Sequence, residues 1–442
     1  MLPWCWSSLP KLSIGYGIQQ VLHGCDTRPE LSQDVKTPTR ASDDSRSDSR
    51  ESFTTAVARE NRAIEGLKLL SSTMLRAVVF RTFPWILVLD STLPSPALCQ
   101  TDRRTDRGQP FSALHGERIT KPAVLSFPTL ISVVGNKIVV FDYGADTMGA
   151  AFDIPSGRLL LRFGASGSDS GEFLAPVAID LDRRSPDAFW VIDGRTHRAT
   201  KLSFTSPRNG EIHLRVDSIL ALPVDSAVPI VASFLDSSGA IVLAGFFDGP
   251  RFARIRPGGS VADSLGPWPP GEDDIPLPIR QHAFQTMLGP DPKGGKFVAA
   301  TRYSERIEVF ALDGTRLFSA PRLRLFDPVY DVERSIEKGG FRAGLDLRQA
   351  YLSLATDKDG FYALFSGRNH LEAPGRAGFG VVVERYDWNA NRQQVYGLDD
   401  DAVAIATDES GHTIYSLVHG RLPGIIRYRL APGRRSRFGK PE

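Results

Sequence analysis

The chain has 442 residues, 41% of them hydrophobic and 24% charged, with a formal net charge of +2. That balance belongs to a folded globular chain long enough for a large core, and it excludes the strong basic field that would hold a nucleic-acid backbone. The three cysteines, Cys5, Cys25 and Cys99, all precede residue 100, which excludes a disulfide framework, a cysteine zinc site and a thiol nucleophile from the rest of the chain.

From Asp26 to Arg62 the chain is rich in Ser, Asp and Arg and nearly empty of large apolar groups. Such a segment cannot offset its ordering entropy and reads as disordered, so residues 1–73 are taken as an extension outside the fold. Residues 74–100 carry basic residues near their start, an apolar stretch from Phe83 to Leu89, and the small residues Ala97 and Cys99 before Gln100. Read from Met74, this is the layout of a secretory signal peptide, and it implies a periplasmic or extracellular protein; the other reading is a buried helix. The apolar run is too short to span a bilayer. A lipid anchor on Cys99 is disfavoured, because Leu98 stands where a small residue belongs.

Beyond Phe111 the chain becomes a series of short apolar or β-branched runs closed by Gly, Asp, Asn or Pro. No window up to Leu430 has helical periodicity except a stretch near Tyr330 to Glu337, so the domain, residues 110–432, is all-β. One strand type recurs as "KIVVFDYG", "AFWVIDG", "AIVLAGFFDG", "KFVAATRYS", "FYALFSG" and "TIYSLVHG". The intervals, roughly 50 to 65 residues, are those of propeller blades of four antiparallel strands. Apolar runs such as "PTLISVVGN" and "VAIATDESG" precede these strands as inner strands; third strands such as "RIEVFALDG" and fourth strands such as "GRLLLRFG" follow. Six copies make a six-bladed β-propeller. The last copy stops one strand short after "GIIRYRLAP", and "PFSALHGERI", residues 110–119, is available to complete it and close the ring. Residues 433–442 form a basic tail.

Between the first and second blades lies "FGASGSDSGEFLAP", residues 163–176. Gly164, Gly167 and Gly171 permit positive φ, Glu172 precedes Phe173, which is placed to pack between blades, and Pro176 suits the first residue of a strand. This motif resembles the inter-blade signature of NHL-type propellers and of the related bacterial TolB-like six-bladed propellers. The resemblance to the TolB-like family extends from about residue 120 to 430, through "FPTLISVVGNKIVVFDYGADTMGAAFDIPSGRLLLRFG", "FWVIDGRTHRATKLSF" and "ESGHTIYSLVHGRLPGIIRYRL". It implies a six-bladed propeller in an exported bacterial protein and implies no particular reaction.

A propeller places its site on loops at one end of the channel. Arg302, Tyr303, Arg348, Tyr351, Arg368 and His370, with Asn369, are candidates to face one such mouth, where Arg and Tyr suit a carboxylate, sugar or peptide. The expected function is therefore a binding or scaffold module, a monomer that needs no cofactor, for a protein, peptide or glycan partner. The competing class is a hydrolase or lyase using a calcium-type ion held by Asp180, Asp182, Asp236, Asp357 or Asp408, although most of these sit in hairpin turns, where Asp is a turn former. Among the scattered histidines only His282 and His419 fall near a channel mouth. Two long connections stand out: "LGPWPPGEDDIPLP" with Trp268, and residues 326–349, which are long enough to overhang the mouth as a partial lid.

Overall fold

In the computed structural model the described residues are 111–206, 211–224, 230–269, 275–337 and 341–430. The extension, the signal-peptide segment and the basic tail lie outside them. Two short strands come first, β1 (Phe111–Ala113) and β2 (Glu117–Arg118). Four sheets of four antiparallel strands follow in chain order. They are β3 (Pro128–Val134) to β6 (Leu159–Ala165), β7 (Pro176–Leu181) to β10 (His213–Ala221), β11 (Ile230–Leu235) to β14 (Val261–Leu265), and β15 (Thr286–Pro290) to β18 (Arg316–Ser319).

The remaining strands, β19 (Tyr351–Asp357), β20 (Gly360–Phe365), β21 (Gly380–Asp387), β22 (Arg392–Thr407), β23 (Thr413–Val418) and β24 (Gly424–Arg429), join one eight-stranded sheet. Its size has a simple cause in β22. Arg392–Gly397 of that strand pairs with β21, and Ala402–Thr407 pairs with β23, so one strand is outermost for β19–β21 and innermost for β23–β24.

Burial explains the strand patterns. The second strands, such as β4 (Lys137–Asp142), β12 (Ile241–Gly245) and β20, are buried at every position because neighbours cover both edges and both faces. Their sequences are accordingly continuous apolar runs. Outermost strands alternate or lie open: β10 is at most half-buried throughout, and β18 is exposed at all positions. Each group of strands packs its faces on the next through a hydrophobic cluster. Phe141 and Ala151 meet Phe189 and Leu202, and the pattern repeats through Ile192 with Leu243, Phe234 with Phe297, Val309 with Phe361, and Leu364 with Ile426. A further cluster joins Ala404, Tyr415 and Ile425 to Val133, Ile138 and Phe152, returning the core to the first sheet. The architecture is an all-β propeller with antiparallel four-stranded blades.

Two sequence expectations are modified. Residues 110–119 do not form one strand: only Glu117–Arg118 pairs with β24, whereas Phe111–Ala113 runs parallel to Val395–Gly397 on β22. A bend at Gly116, whose N–H donates to Asp399 and where a Cβ would run into Ile426, separates the two. A helix that periodicity did not reveal, α1 (Leu277–Ala283), precedes β15; its seven residues follow Pro276 and bury Ile279, Gln281 and Ala283, too few to show a period. The second helix, α2 (Val332–Glu337), falls in the stretch noted near Tyr330.

Candidate functional site

Antiparallel order puts the connections after each second strand, and those leading to the next first strand, at one end of the sheets. The 163–176 segment belongs to this end. Phe173 is fully buried and meets Phe141 edge-on at 5.3 Å, between the first and second sheets. Gly164 has φ of +72°, and a Cβ there would press on the Phe173 ring. Asp193, at the end of β8 (Ala188–Asp193), accepts from Leu174 N (2.6 Å) and Ala175 N (3.0 Å), while Asp142 takes the same role for Ser126 N (2.8 Å) and Phe127 N (2.6 Å). These carboxylates are anchors of the connections and are spent on backbone amides.

The long connection before β19 is fixed from below by Arg324. Its guanidinium lies over the Phe365 ring at 3.9 Å and bonds Glu305 Oε1 (2.8 Å) and Glu384 Oε1 (2.8 Å). Glu384 is fully buried and also accepts from Tyr386 (2.7 Å), Tyr351 (3.1 Å) and Arg392 (3.2 Å). Burial pushes the Glu384 carboxyl up, but the Arg324 charge and these bonds outweigh it and hold it below its ordinary value. Higher in the same connection, Phe341 stacks on His282 at 5.7 Å and on Tyr303 at 6.5 Å, and packs against Tyr330. Burial lowers the His282 pKa to about 4, so the imidazole is neutral at physiological pH.

The predicted site residues divide into two groups. Arg302, Arg348, Arg368 and His370 share this end. Arg302 Nε donates to Gln349 (2.9 Å), Arg348 Nη1 to Glu372 (2.6 Å) and Gly367 O (2.8 Å), and Arg368 Nη1 to Asp401 (2.8 Å); His370 is exposed. Tyr303 and Tyr351 are instead buried beneath the surface, Tyr351 with its hydroxyl on Glu384. The three arginines are thus already paired with protein groups.

Beside Arg348 lies a cavity of about 190 Å³ lined by Phe326, Asp327, Val329, Asp346, Arg348 and Asn369. Around it Leu325, Leu345 and Leu371 are 72%, 67% and 61% exposed. Sequence reading singled out this connection for its length, and Arg348 and Asn369 for their type. It did not single out Asp327, Asp346 or the leucines, since no spacing rule connects residues 325 and 371 before the chain folds.

The carboxylates considered for a metal stand elsewhere. Asp182, Asp236, Asp357 and Asp408 cap turns at the opposite end, accepting from Arg184 N, Ser238 N, Asp359 N and His412 N, and Asp236 and Asp357 are also ion-paired with Arg254 and Arg385. Asp180 meets Ser233 Oγ (2.7 Å) between β7 and β11. Among the described residues no group of three or more His, Cys, Asp and Glu side chains is placed to share a metal ion. His419 Nε2 lies 2.6 Å from Pro128 O, and Trp268 Nε1 donates to Gly249 O (2.9 Å).

Fold and strand pairing define the class as a β-propeller. The chain belongs to the TolB-like 6-blade propeller-like family, whose model matches residues 114–410. No curated relative matches it. Solved structures of similar fold include a Bacteroides fragilis protein whose name marks it as a candidate for export (10% identity, TM-score 0.45, covering 73% of this chain and 99% of that one). Raptor of Chaetomium thermophilum is also similar (12% identity, TM-score 0.42, covering 73% of this chain and 29% of that one). The assignment rests on the family match.

Proposed function

We propose that the chain is an exported binding module, a six-bladed propeller closed by its N-terminal strand, that holds a peptide, glycan or protein partner on the end carrying residues 320–350 and 366–379. The six-blade reading divides the eight-stranded sheet at β22 into two blades and takes β2 as the outer strand of the last. Export rests on the segment from Met74 to Gln100, and a mature amino terminus at Gln100 is the expected result of sequencing the protein from its native host.

The observation that carries the binding reading is that Leu325, Leu345 and Leu371, close in the chain to residues that line a polar cavity, all stand in solvent. Large apolar residues standing together in solvent mark interaction surfaces far more than folding needs. Leu325 adds to this, because its φ of +49° is in the left-handed region that disfavours leucine, and the backbone there is held by Glu305. No helix among the described residues is long and apolar enough to cross a membrane.

A photo-crosslinking residue at position 345 tests the reading against one at Leu181, which is 41% exposed at the opposite end. In the native host, adducts are expected from 345 and not from 181. Equal yields from both positions, or adducts from 181 alone, would sink it.

A further inference from the structure

We infer that this end holds its partner through an aspartate or glutamate side chain of a peptide segment, received by Arg302 and Arg368, the two arginines bonded to Gln349. This rests on the reading of that end as the partner-binding face, and it names the chemistry of the partner.

The inference comes from how few carboxylates the arginines of these connections share. Arg306 Nη2 (3.1 Å) and Arg322 Nη2 (2.9 Å) both donate to Asp327 Oδ1, and Arg368 Nη1 (2.8 Å) and Arg376 Nε (2.7 Å) both donate to Asp401. Arg348 has Glu372 to itself. Arg302 has no carboxylate: its Nε donates to the side-chain oxygen of Gln349 (2.9 Å), and neither Nη meets an acceptor among the described residues. Six arginines thus share three carboxylates, and the exposed Asp346, which pairs with no cation among the described residues, still leaves two positive charges in excess. The other charges do not offset them. Arg324 and Arg392 are matched by Glu305 and Glu384, and those of residues 331–342 cancel by sequence.

The unused polar atoms of these arginines are donors. Arg368 Nη2, like both Nη atoms of Arg302, has no partner among the described residues, and both side chains are half-buried rather than sealed from solvent. Gln349 keeps the two residues together, since its own N donates to Arg368 O (2.8 Å). Next in the chain, Asn369 is only 4% exposed and lines the cavity; its Oδ1 accepts from Glu372 N (2.8 Å), while its Nδ2 donates to no described residue and is available to a peptide carbonyl. A carboxylate brings the charge and the acceptor oxygens that the guanidinium groups lack. The excess is local, because the whole chain carries only +2, too weak a field for a polynucleotide backbone. In the same connections Leu325, Leu345 and Leu371 offer exposed aliphatic surface, which suits apolar side chains of a peptide better than the ring face of a sugar. The aliphatic contacts carry affinity and the arginines carry selectivity.

A random peptide library, displayed with its carboxyl end fused so that no terminal carboxylate is offered, is selected on the full chain to test this. Enriched peptides are expected to share an aspartate or glutamate beside aliphatic residues. By fluorescence anisotropy, changing that acid to its amide weakens binding to the parent chain by about fivefold. Arg302→Gln weakens binding of the acidic peptide to a similar degree, and against that variant the amide costs nothing further, because the two groups act as a pair. The double variant Leu345→Ser, Leu371→Ser, both at exposed positions, weakens binding by about tenfold or more. Peptides that lose binding in the double variant but carry no acid, tolerate the amide, or lose as much from it against Arg302→Gln as against the parent, overturn the acidic inference and leave the face reading standing. Peptides indifferent to the double variant overturn both, and a library that yields no binder overturns the peptide inference.

Discussion

Asp180 sits on an inner strand with Ser233 as its hydrogen-bond partner, and burial raises its pKa to about 7 against the lowering effect of that bond. Well below pH 4 the carboxyl is protonated in folded and unfolded chains alike. As pH rises from about 4 to about 7 the unfolded chain releases the proton while the folded one keeps it, so stability falls across that window and is lowest above it. Asp180→Asn is expected to remove the fall and to raise stability at pH 8 by an amount on the order of 1–3 kcal/mol. Melting temperatures of the two proteins recorded from pH 4 to pH 8 check it, and parallel curves would refute the assignment. Phe173, with no exposed surface and an edge contact to Phe141, represents the opposite kind of residue, one whose value is volume. Phe173→Ala should cost about 3–5 kcal/mol by denaturant titration; a loss below 1 kcal/mol would mean the connection collapses around the gap.

Among the elements, the connection before β19 has no regular strand partner and depends on side chains that reach into the sheets. Arg324 ties it to Glu305 and to the fully buried Glu384. Arg324→Ala leaves Glu384 with Arg392 and two tyrosines, so the expected loss, about 2–4 kcal/mol, is below that of stripping a buried charge of every partner. Because the anchor is local, limited proteolysis within 326–349 should quicken more than global stability falls. Unchanged cleavage there would show that Phe341, stacked on His282 and Tyr303, holds the element alone.

At the scale of the whole molecule the question is how the series of sheets ends. β2 contributes only Glu117 and Arg118, paired with Arg427 and Ile426 on β24, and Arg427 also bonds Glu117 at 2.7 Å. That short pairing gives β24 the outer neighbour that β5, β9, β13 and β17 have in the four-stranded sheets. Deleting residues 117–118 should lower the melting temperature and, since an uncovered edge recruits other strands, raise the mass seen in light scattering above that of the parent chain. A deletion variant with the parent's scattering mass and melting temperature would show that β24 needs no cover.

The repeat of buried second strands was legible in the sequence because a strand covered on both faces must be apolar at every position, and no tertiary detail is needed to see that in "KIVVFDYG" or "FYALFSG". The inner strand Thr286–Pro290 was not, since "TMLGP" carries Gly and Pro; Gly289 has Thr356 against its Cα where a side chain would go, and Pro290 ends the strand on an edge. For the site, sequence reading reached Arg348, Asn369 and the long connection through residue type and loop length. Which arginines are spent on Glu372, Asp401 or Gln349, and which carboxylate is left without a cation, depends on distances between residues far apart in the chain. Strand character is a local consequence of burial, and so it is written along the sequence; the pairing of charges is set only when the blades bring separate loops to one end.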